Sequence, residues 1–171
     1  MSFPDHIFKA YDIRGIVETS LTPEIVTLIG QAFGSEVIER GGRSVVIGRD
    51  GRLSGPTLSA ALAKGLQASG VDVIVICFAP SPLVYYACFA KGTPSCIAIT
   101  GRHNPPEYNG LKMVIEGVTL SAERIQEIKQ RVLEQQFHAG SGSYSQANVL
   151  EDYVAEIAAD VRPKRPLKIV I

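Results

Sequence analysis

The sequence predicts a three-layer α/β/α domain on a mixed, mostly parallel sheet, and three observations carry that expectation. Short β-branched runs alternate with longer segments of helical periodicity. Polar, glycine-containing loops follow the runs at their carboxyl ends, as in open α/β sheets that bind ligands there. One connection between two runs is too short for a crossover helix, so one strand of its hairpin must return antiparallel.

Taken in order, Thr22-Pro23-Glu24 starts a helix: Thr caps it, Pro suits the first helical position and Glu suits the first turn. Ile25, Leu28, Ile29, Phe33, Val37 and Ile38 recur at helical spacing, and Gly41-Gly42 stops the run. Ser44 to Ile47 reads as a buried strand that enters Gly48-Arg49-Asp50-Gly51-Arg52-Leu53-Ser54. A helix capped by Ser54 follows, carrying Leu58, Ala61, Leu62 and Leu66 and ending at Gly70. Val71 to Cys77 is the next strand, Pro80-Ser81-Pro82 punctuates the loop after it, and Leu83 to Ala90 reads as a short helix. Ser95 to Thr100 forms a further strand. The stretch Thr100 to Lys112 then reads as an ordered loop, with Asn109-Gly110 as a turn, before an antiparallel strand from Lys112 to Ile115. Ser121 is expected to cap a helix bearing Ile125, Ile128 and Val132, and residues 138–147 an exposed loop. A last helix starts near Asn148, with Val149, Tyr153, Val154, Ile157 and Val161 as its apolar residues. Residues 1–161 are thus expected to form one domain, 162–166 a linker, and 167–171 the first strand of a truncated second domain.

Composition excludes several function classes. The 171 residues, 46% of them apolar, suffice for one sizeable core. Seventeen basic and seventeen acidic residues cancel, so no global field favours nucleic acid or an anionic membrane. The N-terminus lacks signal-peptide features and no apolar run is long enough to span a bilayer, so a cytoplasmic location is expected. Cys77, Cys88 and Cys96 lack metal-like spacing and are expected to be reduced core residues.

Three polar segments remain for chemistry. Phe8 to Gly15 reads either as a turn, with Asp12 bonding nearby backbone, or as an anion site, with the Arg14 fork and the Tyr11 hydroxyl. Gly48 to Arg52 matches neither nucleotide-binding glycine pattern, which argues against a stand-alone nucleotide-binding domain. Its two arginines are either solvated, with Asp50 pairing one of them, or functional. Thr100 to Lys112 concentrates Arg102, His103, Glu107, Tyr108 and Lys112 between buried strands, where a purely structural connection needs none of them.

Together these motifs, Phe8-Lys9-Ala10-Tyr11-Asp12-Ile13-Arg14-Gly15, Gly48-Arg49-Asp50-Gly51-Arg52 and Thr100-Gly101-Arg102-His103-Asn104-Pro105-Pro106-Glu107-Tyr108-Asn109-Gly110-Leu111-Lys112, resemble the N-terminal domain of the α-D-phosphohexomutases, of the bacterial phosphomannomutase/phosphoglucomutase type. The resemblance implies a domain of an enzyme that interconverts hexose 1- and 6-phosphates through a phosphoserine, a Mg²⁺ ion and a hexose 1,6-bisphosphate intermediate. It implies that Lys112 stabilises the phosphoryl group and serves as a candidate acid/base, and that His103 positions substrate or shares proton transfer. Tyr11 and Arg14 line the cleft, and Asn104 holds the loop in shape. The implied partners are a mannose or glucose phosphate and the remaining domains of the same polypeptide. Sugar choice lies, by the same resemblance, in a later domain.

One position departs from the family pattern Thr-Gly/Ala-Ser-His-Asn-Pro: the serine is Arg102. Arginine has no hydroxyl to phosphorylate and lends no oxygen to Mg²⁺, so no metal site is expected within this chain. Thr100 carries a hydroxyl, but along an extended backbone it stands roughly 6–7 Å away. The expectation is therefore a mutase domain without turnover, being a fragment with Arg102 at the serine position. The alternative is a catalytically silent sugar-phosphate-binding or regulatory protein with Arg102 as an anion anchor.

Overall fold

In the computed structural model, which describes residues 3–162, 165, 166 and 168, the chain enters through a 3-10 turn, Asp5–Ile7, and strand β1, Ile13–Ile16. Then follow α1 (Pro23–Glu39), β2 (Ser44–Arg49), α2 (Gly55–Ala68), β3 (Asp72–Phe78), α3 (Ser81–Ala90), β4 (Cys96–Ile99) and β5 (Tyr108–Ile115). The chain closes with β6 (Val118–Thr119), α4 (Glu123–Glu134), β7 (Tyr144–Gln146) and α5 (Leu150–Asp160). Residues 163, 164, 167 and 169–171, and with them most of the expected strand of residues 167–171, lie outside the described residues. Among the described residues no helix is long and apolar enough to cross a membrane.

The sheet runs β1-β5-β4-β2-β3-β7, with β6 beside β5. β2 pairs in parallel with β3 and β4, and β3 in parallel with β7, whereas β5 runs antiparallel to both β4 and β1. This is the mixed, mostly parallel sheet that the short β4–β5 connection demands. Alternation along the strands sends Ile97, Ile99, Leu111 and Met113 to one face, where α1, α2 and α4 contribute Phe33, Leu62 and Ile128. Cys96, Ala98 and Val114 point to the other, covered by Leu83, Val84 and Ala87 of α3. Each fully buried large aliphatic side chain contributes on the order of 1.5–3 kcal/mol. The two faces together fix the sheet edge from which the polar loops emerge.

Several local expectations give way to tertiary pairing. Ile13–Ile16 forms an edge strand rather than part of a turn, because β5 offers it partners from Tyr108 to Leu111. For the same reason Asn109-Gly110 is not a turn: Asn109 opposes Gly15 and Gly110 opposes Arg14 within β5, which starts four residues before Lys112. Tyr144–Gln146 leaves the expected exposed loop to pair with Val73–Val75. Thr22 caps α1 by accepting the Ile25 amide as expected. Ser54 instead accepts a bond from Asn109 Nδ2, and α4 starts after Ala122, at φ 41°, without a side-chain cap. Cys77 is exposed, not a core residue, since β3 carries an extra residue against Ile47–Arg49 and Cys77 sits there at φ 55°. The Val154, Ile157 and Val161 side chains of the last helical segment are exposed.

Candidate active site

The loop between β4 and β5 leaves the sheet at the carboxyl end of β4. Parallel pairing of β2 with β4 brings the loop after β2 to the same edge, and β1 delivers Asp12 and Arg14 from across β5. Three segments far apart in sequence therefore meet here.

Arg52 organises the meeting. Its Nη1 donates to the carbonyls of Pro105 (2.6 Å) and Tyr108 (2.9 Å), and its Nη2 to those of Asn104 (2.6 Å) and Arg102 (3.1 Å). Its Nε lies 3.7 Å from Asp50 Oδ2. That same oxygen accepts the Gly101 amide at 3.0 Å, and Asp50 Oδ1 accepts the Arg52 amide. Gly101 is packed so closely that a Cβ there would fall 1.8 Å from Arg52 Nε. Only glycine permits this approach.

Two further arginines meet on a second carboxylate. Asp12 is buried, and both its oxygens accept from Arg14 Nη2 at 3.2 Å. Arg102 Nη1 approaches Asp12 Oδ2 to 3.6 Å. Arg14 Nη1 donates to Asn104 Oδ1 at 3.2 Å, and Asn104 Nδ2 donates to the Gly101 carbonyl at 2.8 Å, closing the turn on itself. Arg14 Nε is buried without a hydrogen-bond partner among the described residues, which is unusual for a group of this polarity. Arg102 itself sits in the left-handed region at φ 51°, with its amide donating to Thr100 Oγ1 at 3.1 Å.

Of the candidate residues named from sequence, Arg14 and Arg102 thus meet on Asp12, and Asn104 joins them through Arg14. Tyr11 and His103 are exposed and stand outside that bonded network among the described residues. Lys112 projects from β5 opposite Ala98, and its ammonium lies over the Tyr85 ring of α3, 5.3 Å from the centroid. Beneath it, the neighbouring Cys88 sulfur and burial push the Cys96 thiol up, while Lys112 acts in the opposite direction. A cleft of about 850 Å³ opens behind the loop, between Asp50, Arg52, Asn104 and the Val17–Glu18 segment.

Asp12 was not among the candidates, and Asp50 was expected only as a partner for one of two arginines. The Gly-Arg-Asp-Gly-Arg motif left Arg52 open between solvation, with Asp50 pairing one of the two arginines, and a functional role. No local pattern shows that its partners are backbone carbonyls some fifty residues away.

The chain matches the model of phosphoglucomutase/phosphomannomutase, alpha/beta/alpha domain I, over residues 5–139. It is 42% identical over 170 residues to a phosphomannomutase/phosphoglucomutase of Pseudomonas aeruginosa, covering 99% of this chain and 37% of that protein. It is 41% identical to a phosphoglucomutase of Neisseria meningitidis, covering 96% of this chain and 36% of the relative. A phosphoglucomutase/phosphomannomutase family protein of Burkholderia thailandensis superposes with a TM-score of 0.92 at 46% identity, covering 98% of this chain and 38% of that one. The chain thus spans a little over a third of the length of these relatives. With the fold, the loop-bearing sheet edge and these matches in agreement, the chain belongs to the phosphoglucomutase/phosphomannomutase family and corresponds to its N-terminal α/β/α domain.

Proposed function

We propose that this chain is the first domain of a hexose-phosphate mutase in which arginine occupies the phosphoserine position, and that it supports no turnover as it stands. The observation that carries the proposal is the tip of the loop itself. Arg102 presents a guanidinium, 3.6 Å from Asp12 Oδ2, where the reaction needs an oxygen nucleophile. The Thr100 hydroxyl is engaged by the Arg102 amide. A displacement of ~1 Å already costs ~100-fold in rate, so a hydroxyl two residues away is no substitute.

In the reaction we assign to the family, a phosphoryl group passes from the serine to the sugar, giving a 1,6-bisphosphate that returns its other phosphate. Such a transfer needs positive charge on the phosphoryl oxygens and a group that exchanges a proton with the sugar hydroxyl. We assign to Lys112, on β5, the positive charge that meets the phosphoryl oxygens, and to His103, exposed on the loop, the orienting of substrate or the exchange of a proton. Arg14, whose side chain is about one-third exposed, offers its guanidinium edge to phosphate, and the exposed Tyr11 offers a hydroxyl from the preceding turn. The other domains of such a polypeptide complete the cleft around the sugar.

The Mg²⁺ implied by the family does not fit the residues present. Asp12, the buried carboxylate beside position 102, is already engaged by two guanidinium groups, and those groups repel a divalent cation.

The test is a chimera in which residues 1–161 replace the matching domain of the Pseudomonas aeruginosa relative. Conversion of glucose 1-phosphate is expected to be absent with Arg102 and to appear with Arg102→Ser. Turnover with Arg102 in place overturns the inactivity; no turnover with Arg102→Ser overturns the mutase assignment.

A second reading has its own support. Two guanidiniums share one carboxylate, leaving a positive charge in excess at a half-exposed position, as a silent sugar-phosphate-binding protein with Arg102 as anchor requires. Calorimetry with mannose 6-phosphate separates the two: binding lost in Arg102→Ala favours the anchor, and binding unchanged excludes it.

A further inference from the structure

We propose that Arg52 is a positioning residue for phosphoryl transfer, a clamp that fixes the backbone of residues 101–108 before any ligand arrives. Its catalytic consequence rests on the mutase reading above; its geometry does not.

The donor inventory of an arginine is five N–H groups in a rigid plane. Here four of them go to the carbonyls of Arg102, Asn104, Pro105 and Tyr108, and the fifth faces Asp50. Four carbonyl oxygens converging on one point repel one another unless a cation sits there. The loop shape and the guanidinium therefore require each other. Asp50 completes the device from the same segment, holding Arg52 by its own amide and Gly101 by its amide. The bond to the Arg102 carbonyl fixes the peptide that follows position 102, which sits at a positive φ that a non-glycine residue adopts only under constraint. Whichever side chain stands at 102 is thus aimed by a residue fifty positions earlier in the chain.

Charge alone does not explain this arrangement. A lysine in place of Arg52 keeps the attraction to Asp50 but has three donors radiating from a point, and it lacks the planar fork that reaches both sides of the loop. Both Arg52→Ala and Arg52→Lys are therefore expected to free the loop. This separates a positioning role from a merely electrostatic one.

The experiment has two arms. In the first, hydrogen exchange of this chain is followed at the Gly101, Asn104 and Tyr108 amides, with Ile97 and Met113 as core references. Both variants are expected to exchange about tenfold faster or more at the loop, with the references unchanged. Loop exchange within about twofold of the parent in Arg52→Lys overturns the clamp. In the second arm, the Arg102→Ser chimera is assayed with and without Arg52→Lys. A drop in kcat of ~100-fold with little change in KM is expected. Equal kcat overturns the catalytic consequence. If the Arg102→Ser chimera has no turnover, the mutase reading fails by itself and the exchange arm still decides the clamp.

Discussion

Gly30 and Gly65 meet where α1 lies against α2. A Cβ on Gly65 would fall 2.1 Å from the Thr27 carbonyl oxygen and 3.0 Å from the Gly30 Cα, and one on Gly30 would fall 2.7 Å from the Leu62 carbonyl. The two backbones are in direct contact, and the obstacles are main-chain atoms that no rotamer change removes. Gly65→Ala is expected to destabilise the domain by about 1–3 kcal/mol, as for overpacked cores. Urea unfolding should show this as a lower midpoint with an unchanged slope.

Arg131 ties α4 to the end of α1. Its two terminal nitrogens reach Glu39 at 2.7 and 2.6 Å, and Nη2 also reaches Glu36 at 3.2 Å. The hydrogen bond from Arg131 holds the Glu39 carboxyl below its usual value. A depressed carboxylate contributes stability that is present above the unfolded pKa and lost as pH falls through the folded one. Thermal stability should therefore decline below about pH 4.5, and part of that decline should vanish in Arg131→Met. At neutral pH the same variant is expected to lose about 0.5–1 kcal/mol.

The three thiols should separate kinetically. Cys77 is exposed, Cys88 half-buried and Cys96 buried. A maleimide is expected to modify Cys77 first and Cys96 only on unfolding, as mass spectrometry of timed aliquots would show. Rapid labelling of Cys96 in the native protein would contradict the packing of β4 against α3.

Asp12 competes with any anion for Arg14 and Arg102. Asp12→Asn is expected to tighten binding of inorganic phosphate by about three- to tenfold at low salt, with the gain fading as ionic strength rises. Arg14→Ala should weaken it. Calorimetry at two salt concentrations reads both, and weaker binding by Asp12→Asn would show that the carboxylate organises the arginines more than it competes with them.

The layered fold was legible because β-branched runs and helical spacing are local signals, and the caps at Thr22 and Gly41 are local too. The edge strands were not: β1 and β7 have little pattern of their own and exist because Leu111 and Val73–Val75 offer open partners. At the site the sequence named Arg14, Asn104 and Arg102 by residue type and resemblance, but not Asp12 as the carboxylate that the two arginines share. The role of Arg52, left open between solvation and function, escaped for a physical reason. Its ligands are main-chain carbonyls, which every residue carries and no motif can mark.

The route by which the site assembles follows from the place of β1. It lies at an edge of the sheet, and its ladder to β5, from Ile13–Leu111 to Ile16–Tyr108, joins segments separated by nearly a hundred residues. Closing so long a loop is entropically costly and is repaid only once β5 has been seated by β4. The helices and central strands are expected to consolidate before it. The corner that holds Asp12, Arg14 and Arg102 is then expected to gain exchange protection in refolding after the central strands do.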